Sequence, residues 1–315
     1  MTWTEWAIVF FVIQIIHGLG TWKLYKKAGY DSWNAFVPIY NAVTLMKIIN
    51  RSPYWTILLF LPMINVIMFP IIWVETSRSF GKNSYLDTFL AVISLGFYNY
   101  YLNYFAEINH IKNKDRIPKS SSGEWVNSIL FAIVAATIIR TFVFEAYVIP
   151  SESMEKTLLV NDFLFVNKMS YGARMPQTPV SFPFVHNTMP FSTTAPSYTT
   201  WVQVPYTRLP AFADVKRNDV VVFNFPTGDT IINLPEYGSK RPYYDELRYS
   251  FKGNREMLQS EFPIHVHPMD KTDNYIKRCV AVGGDILEVR NGSLFINSQP
   301  AFIPPSSQTD YIVET

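Results

Sequence analysis

Tyr147-Val148-Ile149-Pro150-Ser151-Glu152-Ser153-Met154-Glu155-Lys156-Thr157-Leu158-Leu159 is the stretch on which the reading of this chain turns. A long apolar segment stops there, and a polar, strand-rich region begins. Two serines, Ser151 and Ser153, follow the rigid Ile149-Pro150 pair. Placed at such a boundary, Ser153 is a candidate nucleophile held just outside a membrane. The partner it needs is sought far down the chain, in Tyr275-Ile276-Lys277-Arg278-Cys279-Val280.

Composition supports the boundary. The chain has 315 residues, 49% hydrophobic and 17% charged. An average soluble domain is about 25% charged. The deficit is concentrated in the first 150 residues. A length of this kind suggests about two domains, and the split suggests a membrane half followed by a water-facing half. A net charge of +2 gives no bulk attraction for nucleic acid. Cys279 is the sole cysteine, so no intramolecular disulfide forms. The N-terminus lacks the basic start and small-residue cleavage site of a removable leader.

A spanning helix needs about 20 mostly apolar residues. Four segments qualify as expectations: Trp3 to Leu19, Tyr54 to Val74, Leu86 to Ile108, and Val126 to Val148 with Trp125 as interfacial anchor. Arg140 and Glu145, near the end of the fourth, read as side chains snorkelling to the far interface. The first loop carries Lys23, Lys26, Lys27, Lys47 and Arg51. The second carries Arg78 and Lys82, and the third Lys112, Lys114, Arg116 and Lys119. The excess of positive charge in the first and third loops makes them cytoplasmic and puts both termini outside. Residues beyond about 149 are then outside the cytoplasm. The apolar positions of the loop Gly20 to Arg51 suggest an amphipathic helix lying in the interface. No catalytic constellation occurs in residues 1–124.

From Asp162 the pattern turns to strands. Phe163-Leu164-Phe165-Val166, Asp219 to Phe225 and Tyr275 to Val282 are β-branched or aromatic runs. Ile286 to Val289 and Leu294 to Ile296 flank Asn291-Gly292, a type I′ hairpin signal. Two polar inserts, about Ser170 to Pro210 and about Thr230 to Asp273, interrupt the strands. The region is expected to be all-β or nearly so.

A serine hydroxyl needs a base. No G-x-S-x-G elbow is present. His17 and His110 lie in the membrane half. His186, His265 and His267 lie in the inserts without a triad signature. His265-x-His267 puts two imidazoles on one face, but no third ligand is in register for a metal, and a plain surface pair is the expectation. Lysine serves as a base only when neutral, which burial favours. Lys277 stands inside the apolar run Y-I-K-R-C-V-A-V. Alternation puts Lys277 and Cys279 on one face and Ile276 and Arg278 on the other. From spacing alone two readings stay open: a general base, or a charge guarding an edge strand.

A resemblance bears on that choice. I-P-S-E-S-M with T-L-L and N-D-F-L-F-V, in residues 149–166, resembles the nucleophile segment of type I signal peptidases (leader peptidases). Arg217-Asn218-Asp219-Val220-Val221-Val222-Phe223 resembles the family's R-G-D-I-V-V-F strand, with Asn for Gly. Tyr275-Ile276-Lys277-Arg278 through Val282-Gly283-Gly284-Asp285 resembles its Y-I-K-R-A-V-G-x-P-G-D segment. The likeness runs from about Trp125 to Asn297, in the family's order and rough spacing. The long inserts and the preceding membrane module are similar to the enlarged enzymes of the Bacteroidetes group.

The resemblance implies a fold of two parts: a multi-span α-helical membrane region, then a mainly-β signal-peptidase-like catalytic domain. Its parts are a membrane module of about three helices over residues 1–124, an anchor helix over 125–149, and a serine peptidase domain over 150–315. It implies Ser153 as nucleophile and Lys277 as general base, with the Ser151 hydroxyl and the Ser153 backbone N–H as oxyanion hole. Tyr147, Ile149, Met154, Leu158 and Ile276 match positions lining small pockets for the alanine-like residues before a cleavage site, and ordinary core packing explains most of them equally well. Asp219, Arg278 and Asp285 match motif positions with a structural role. No cofactor or metal is implied. The implied partners are signal peptides of exported preproteins, the lipid bilayer and the secretion machinery, with the catalytic domain on the periplasmic side of a multi-pass inner-membrane protein. About five residues separate Ser153 from the expected span, at no more than about 3.5 Å each, so the nucleophile would stand within roughly 20 Å of the interface.

Two departures qualify this. Lys156 stands where the family has Pro. The family's later G-D-N-R-x-x-S-x-D-S-R segment, which supports the lysine, does not occur before Thr315. That absence motivates an alternative, a non-catalytic membrane scaffold with a degenerate or truncated peptidase domain. A self-cleaving repressor with the same Ser-Lys chemistry is disfavoured by the apolar spans.

Overall fold

The computed structural model describes residues 3–112, 121–192, 194–226, 228, 230–234, 236–237 and 240–308. Lys114, Arg116 and Lys119, counted in the third loop, lie outside the described residues. The chain divides into two compact units. One comprises Met1–Ile138 with Pro176–Val185 and Pro196–Tyr206. The other comprises Ile139–Met175, His186–Ala195 and Thr207–Thr315.

The first unit is helical. Its helices are α1 (Trp3–Lys27), α2 (Tyr40–Ile48), α3 (Trp55–Leu58), α4 (Ile64–Ser79), α5 (Tyr85–Ile93), α6 (Tyr98–Tyr104) and α7 (Ser121–Ile138). At 1.5 Å per residue, the 25 residues of α1 reach about 37 Å, enough to cross a hydrocarbon layer of about 30 Å. Among the described residues two helical stretches are long and apolar enough to cross a membrane, Thr4–Lys27 and Trp125–Val143.

The second and third expected spans are not single helices. Tyr54 to Val74 is broken between α3 and α4, where Pro62 precedes Met63 at φ 67°. A proline cannot donate to the preceding turn, and a left-handed residue cannot continue a helix. Leu86 to Ile108 is broken between α5 and α6, where Leu95 and Gly96 have φ 50° and 86°. Hydropathy averages across such corners and cannot see them. Ser84 opens α5 with a reciprocal capping box to Asp87, so Asp87 serves a helix start rather than a membrane interior.

The loop Gly20 to Arg51 also differs from expectation. α1 continues through Lys27, and α2 packs Leu45, Met46 and Ile48 into a core with Leu24, Tyr25, Ile72, Phe80 and Leu102. These side chains face protein rather than an interface. Asn103 locks the bundle to α1. Its Oδ1 accepts from Lys23 N–H (2.9 Å) and Leu24 N–H (3.2 Å), and its Nδ2 donates to the Leu19 carbonyl (3.2 Å). Gly18 and Gly20 leave the space on α1 that the rings of Phe36 and Tyr100 occupy. Glu75 of α4 is buried and paired with Arg51 (2.9 Å) and Arg78 (3.4 Å), so its charge is compensated inside the bundle.

The second unit begins where the fourth expected span ends early. α7 stops at Ile138, a π-helical turn covers Ile139–Val143, and Phe144–Val148 is strand β1 rather than helix. Arg140 and Glu145 do not snorkel separately. Glu145 bridges Arg140 (2.7 Å) and Lys168 (2.7 Å). Burial alone would raise the Glu145 carboxyl, but the two cations and their hydrogen bonds outweigh it and hold the pKa below the ordinary value.

The strands that follow are short: β2 (Phe163–Asn167), β3 (Val220–Asn224), β4 (Thr230–Ile232), β5 (Ile264–Val266), β6 (Asn274–Arg278), β7 (Leu287–Arg290), β8 (Ser293–Ile296) and β9 (Gln299–Pro300). They pair antiparallel as β1-β2, β3-β6, β4-β5 and β7-β8-β9. The Asn291-Gly292 hairpin forms as expected, with φ 48° and 75° and Arg290 opposite Ser293. The second insert makes its own small core from Ile232 of β4 with Tyr243 of α8 (Tyr243–Asp245), Leu247, and Leu258 of α9 (Arg255–Glu261).

Candidate active site

β1 and β2 form a hairpin, and Ser151 and Ser153 sit in the loop at its tip. The last pair, Val148 opposite Phe163, is extended by Ile149 N–H to the Asp162 carbonyl (3.0 Å) and Asn161 N–H to the Ile149 carbonyl (2.9 Å). Within the loop, Glu152–Met154 make one 3₁₀ turn, and Leu158 N–H returns to the Met154 carbonyl (2.8 Å). The Asp162 carboxylate accepts from Leu159 N–H (2.7 Å). Ile149 and Met154 are buried beneath the loop, which leaves both serines exposed on top of it.

β6 delivers the second group. It pairs with β3 in the register Val221 opposite Lys277 and Val222 opposite Ile276. The resulting ribbon presents Lys277 to the loop that carries Ser151 and Ser153, and Lys277 Nζ makes hydrogen-bonding contact with Ser153 Oγ. The two residues are 124 apart in sequence. Ser151 Oγ lies 3.5 Å from Ser153 Oγ. Lys277 is half-buried, with its ammonium 5.6 Å from the centre of the Tyr275 ring, its neighbour on the same strand face.

Arg278 points the other way along β6. It donates to the Asn218 carbonyl (3.0 Å) and to Thr157 Oγ1 (3.2 Å), tying the loop after Ser153 to the β3–β6 ribbon. Asp219 accepts from the Tyr171 hydroxyl (2.8 Å) and Lys216 N–H (2.8 Å), which holds its carboxyl below the usual range. Asp285 accepts from the Arg217 guanidinium, Val282 N–H (2.9 Å) and Asn297 Nδ2 (3.1 Å). The Arg217 hydrogen bond is the leading cause of its depressed pKa. Each carboxylate thus joins segments distant in sequence.

Of the remaining expected residues, Leu158 and Ile276 are half-buried, and the Tyr147 hydroxyl donates to Glu145 (2.9 Å). An apolar depression lined by Val143, Phe144, Phe165, Asn167 and Met169 lies at the opposite end of the hairpin from Ser153, since Phe144 pairs with Asn167. Among the described residues no cluster of three or more His, Cys, Asp or Glu could hold a metal.

His265 and His267 do share a face, with ring centres 5.0 Å apart, but they are not a surface pair. His267 is buried and bonds the Lys271 carbonyl (3.2 Å), while His186 bonds the Thr272 carbonyl (3.0 Å). Burial lowers the pKa of both imidazoles, and His265 adds to the effect at His267. A folded-state pKa below the unfolded value means the unfolded chain binds more protons, so stability is present above about pH 6.5 and falls as pH drops through that value. Thermal unfolding between pH 8 and pH 5 is expected to show a falling midpoint. Replacing His186 and His267 together by Asn should flatten that slope, and an unchanged slope would refute the assignment.

The family profile described as "Signal peptidase, peptidase S26" matches residues 122–311. The chain belongs to the signal peptidase family, peptidase S26. The signal peptidase I of Haemophilus influenzae is 30% identical over 168 residues, covering 53% of this chain and 36% of that protein. Signal peptidase I P of Bacillus subtilis subsp. natto is 24% identical over 187 residues, covering 59% and 57%. Signal peptidase I of Helicobacter pylori is 26% identical over 157 residues, covering 49% and 43%. The chain thus spans between about a third and somewhat over half the length of these relatives. Residues 33–113 match a family of unknown function, DUF5684. No solved structure matches.

Backbone conformation accounts for both local departures from the family motifs. Asn218 has φ 73°, a left-handed conformation that Gly or Asn adopts readily. Lys156 has φ 62°, which a proline ring held near −65° cannot reach. Lys156→Pro would therefore restore the motif and spoil this loop. At about 1–3 kcal/mol for a misfitted backbone, turnover should fall roughly tenfold or more. Lys156→Gly should keep full turnover. Equal activity of the Pro and wild-type proteins in a cleavage assay would show that the loop has another conformation.

Proposed function

We propose that this signal peptidase family member is a membrane-anchored serine endopeptidase that removes N-terminal signal peptides from exported preproteins with a Ser153–Lys277 dyad. The reading rests on the contact between Lys277 Nζ and Ser153 Oγ, made by two segments that each resemble a family motif. Residues 1–124 serve as a membrane module, 125–149 as the anchor and its exit into the sheet, and 150–315 as peptidase. The exit through β1 puts the nucleophile loop a few residues beyond an apolar helix. The loop charges support a reading in which the peptidase lies on the extracytoplasmic face of a multi-pass inner-membrane protein.

The chemistry follows from the contacts. A neutral Lys277 amine takes the proton of Ser153 Oγ as that oxygen bonds to the scissile carbonyl carbon. The oxyanion formed accepts from Ser153 N–H and the Ser151 hydroxyl. Donors of this kind are typically worth about 10²–10³ in rate. The C–N bond then breaks as the Lys277 ammonium returns its proton to the leaving amine. Water, deprotonated by the same amine, hydrolyses the ester and frees Ser153.

The test is cleavage of a model preprotein by the complete protein in detergent micelles, with products read by mass spectrometry. A single cut after a small-x-small sequence is expected. Recovery of intact preprotein would overturn the reading.

A further inference from the structure

The first insert carries a feature that the peptidase chemistry does not use. From Pro176 to Thr207 there is no Asp, Glu, Lys or Arg. About eight would stand in an average soluble stretch of that length. The second insert, residues 230–273, carries thirteen. A shortage of charge is therefore specific to the first insert.

The insert also exposes apolar side chains. Pro176–Val185 and Pro196–Tyr206 both belong to the helical unit and run antiparallel. Phe182 N–H donates to the Ser197 carbonyl (2.7 Å) and Thr199 N–H to the Val180 carbonyl (3.0 Å), with Ser181 bridging Tyr198. On the first segment Val180, Phe182 and Phe184 are 38%, 49% and 45% exposed. Thr178, Ser197 and Tyr198 of the ribbon are buried. Trp201, on the second segment, is 91% exposed.

The position of the ribbon says what covers this face. Two residues beyond Trp201, the Gln203 carbonyl accepts a hydrogen bond from Trp6 Nε1 (3.1 Å). Trp6 lies in the first turns of α1, at the end opposite Lys26 and Lys27. A tryptophan at the end of an apolar span marks the headgroup level of a bilayer. The ribbon is thereby held at that level, with an uncharged, aromatic outer face.

We infer that Pro176–Val185 and Pro196–Tyr206 form a lipid-contacting ribbon, with Val180, Phe182, Phe184 and Trp201 seated in the headgroup–acyl boundary of the leaflet at the N-terminal end of α1. The inference rests on α1 crossing the bilayer, as the membrane-anchored reading requires. The ribbon gives the chain a contact with lipid separate from its apolar helices, as an interfacial segment rather than a span.

The test uses the full chain in nanodiscs of phosphatidylethanolamine and phosphatidylglycerol, with an environment-sensitive fluorescent amino acid at position 201. The same probe goes at position 15, in the middle of α1, and at position 249 in the charged insert. Quenching is read with lipid-attached nitroxides and with aqueous iodide. The expected result is a blue-shifted probe at 201, quenched several-fold more by nitroxide near the headgroup than the probe at 249. If 15 is quenched deep in the bilayer while 201 answers to iodide alone, the ribbon inference is overturned and the membrane reading survives. If 15 is not quenched by lipid nitroxide, the membrane reading fails and the ribbon inference with it. A probe at 201 open to iodide in nanodiscs but shielded in native membranes would assign the face to a protein partner and overturn the lipid assignment.

Discussion

Ser153→Ala is expected to lower preprotein turnover by about 10⁴-fold or more, the scale on which removing a serine nucleophile acts in serine peptidases. Ser153 is exposed at the tip of a hairpin loop, where its hydroxyl contacts Lys277 Nζ and lies 3.5 Å from Ser151 Oγ. Losing it removes no buried contact, so the thermal midpoint of the variant should match wild type. Circular dichroism melts beside a gel-based cleavage assay check both halves. A variant that still turns over within tenfold of wild type would remove Ser153 from the chemistry. It would then leave Ser151, 3.5 Å away, as the hydroxyl to examine.

The second large effect is expected at Lys277. Lys277→Met keeps the length and most of the apolar stem but removes the base, and a general base typically contributes about 10²–10⁴ in rate. Lys277→Arg is the sharper variant. It keeps the positive charge and the reach to Ser153, yet a guanidinium does not give up its proton in a protein. If Lys277 acts as a base, Arg should be as damaging as Met, with kcat reduced about 10³-fold and KM little changed. If it merely holds the loop by charge, Arg should restore most of the activity. Single-turnover cleavage at saturating enzyme separates the two outcomes.

Much of the peptidase half is legible in the sequence. The runs at 163–166, 219–225, 286–289 and 294–296 become β2, β3, β7 and β8 to within a residue or two. Alternation puts Lys277 beside Tyr275 on one face and sends Arg278 to the other, where it grips Asn218 and Thr157. Strand period and turn chemistry are local properties, set by residues two to four apart, and a sequence displays them directly. The inserts are less legible. His267 looks like half of a surface pair, yet it is buried against the Lys271 backbone. Its partner for that burial, the turn Met269–Lys271, has no pattern of its own.

The helical half is less legible for a related reason. Apolar content identifies segments that prefer lipid or core, and it cannot say where a helix turns. Pro38-Ile39 and Pro62-Met63 make the same corner twice, each with the second residue at φ 67° just before α2 or α4. An isoleucine at positive φ is strained, and local preference alone would not choose it. The packing of α2 and α4 into one core sustains it. Asn103, which reads as an awkward polar group in a span, is the clamp on α1.

The sequence by itself singled out the residues proposed to carry the chemistry: a serine behind Ile149-Pro150, a lysine inside an apolar strand, and the order of the motifs around them. It also determined the hairpin at Asn291-Gly292 and the uncharged character of the first insert. Tertiary structure decided the rest. It ended the anchor helix at Ile138 and turned the last apolar residues into β1, because Phe144–Val148 finds ladder partners in β2. It brought Lys277 to Ser153 across 124 residues, because β6 is held in register by β3 and the nucleophile loop is held by Arg278. Contacts at such separations come from the packing of whole elements, and no local pattern in the chain encodes them.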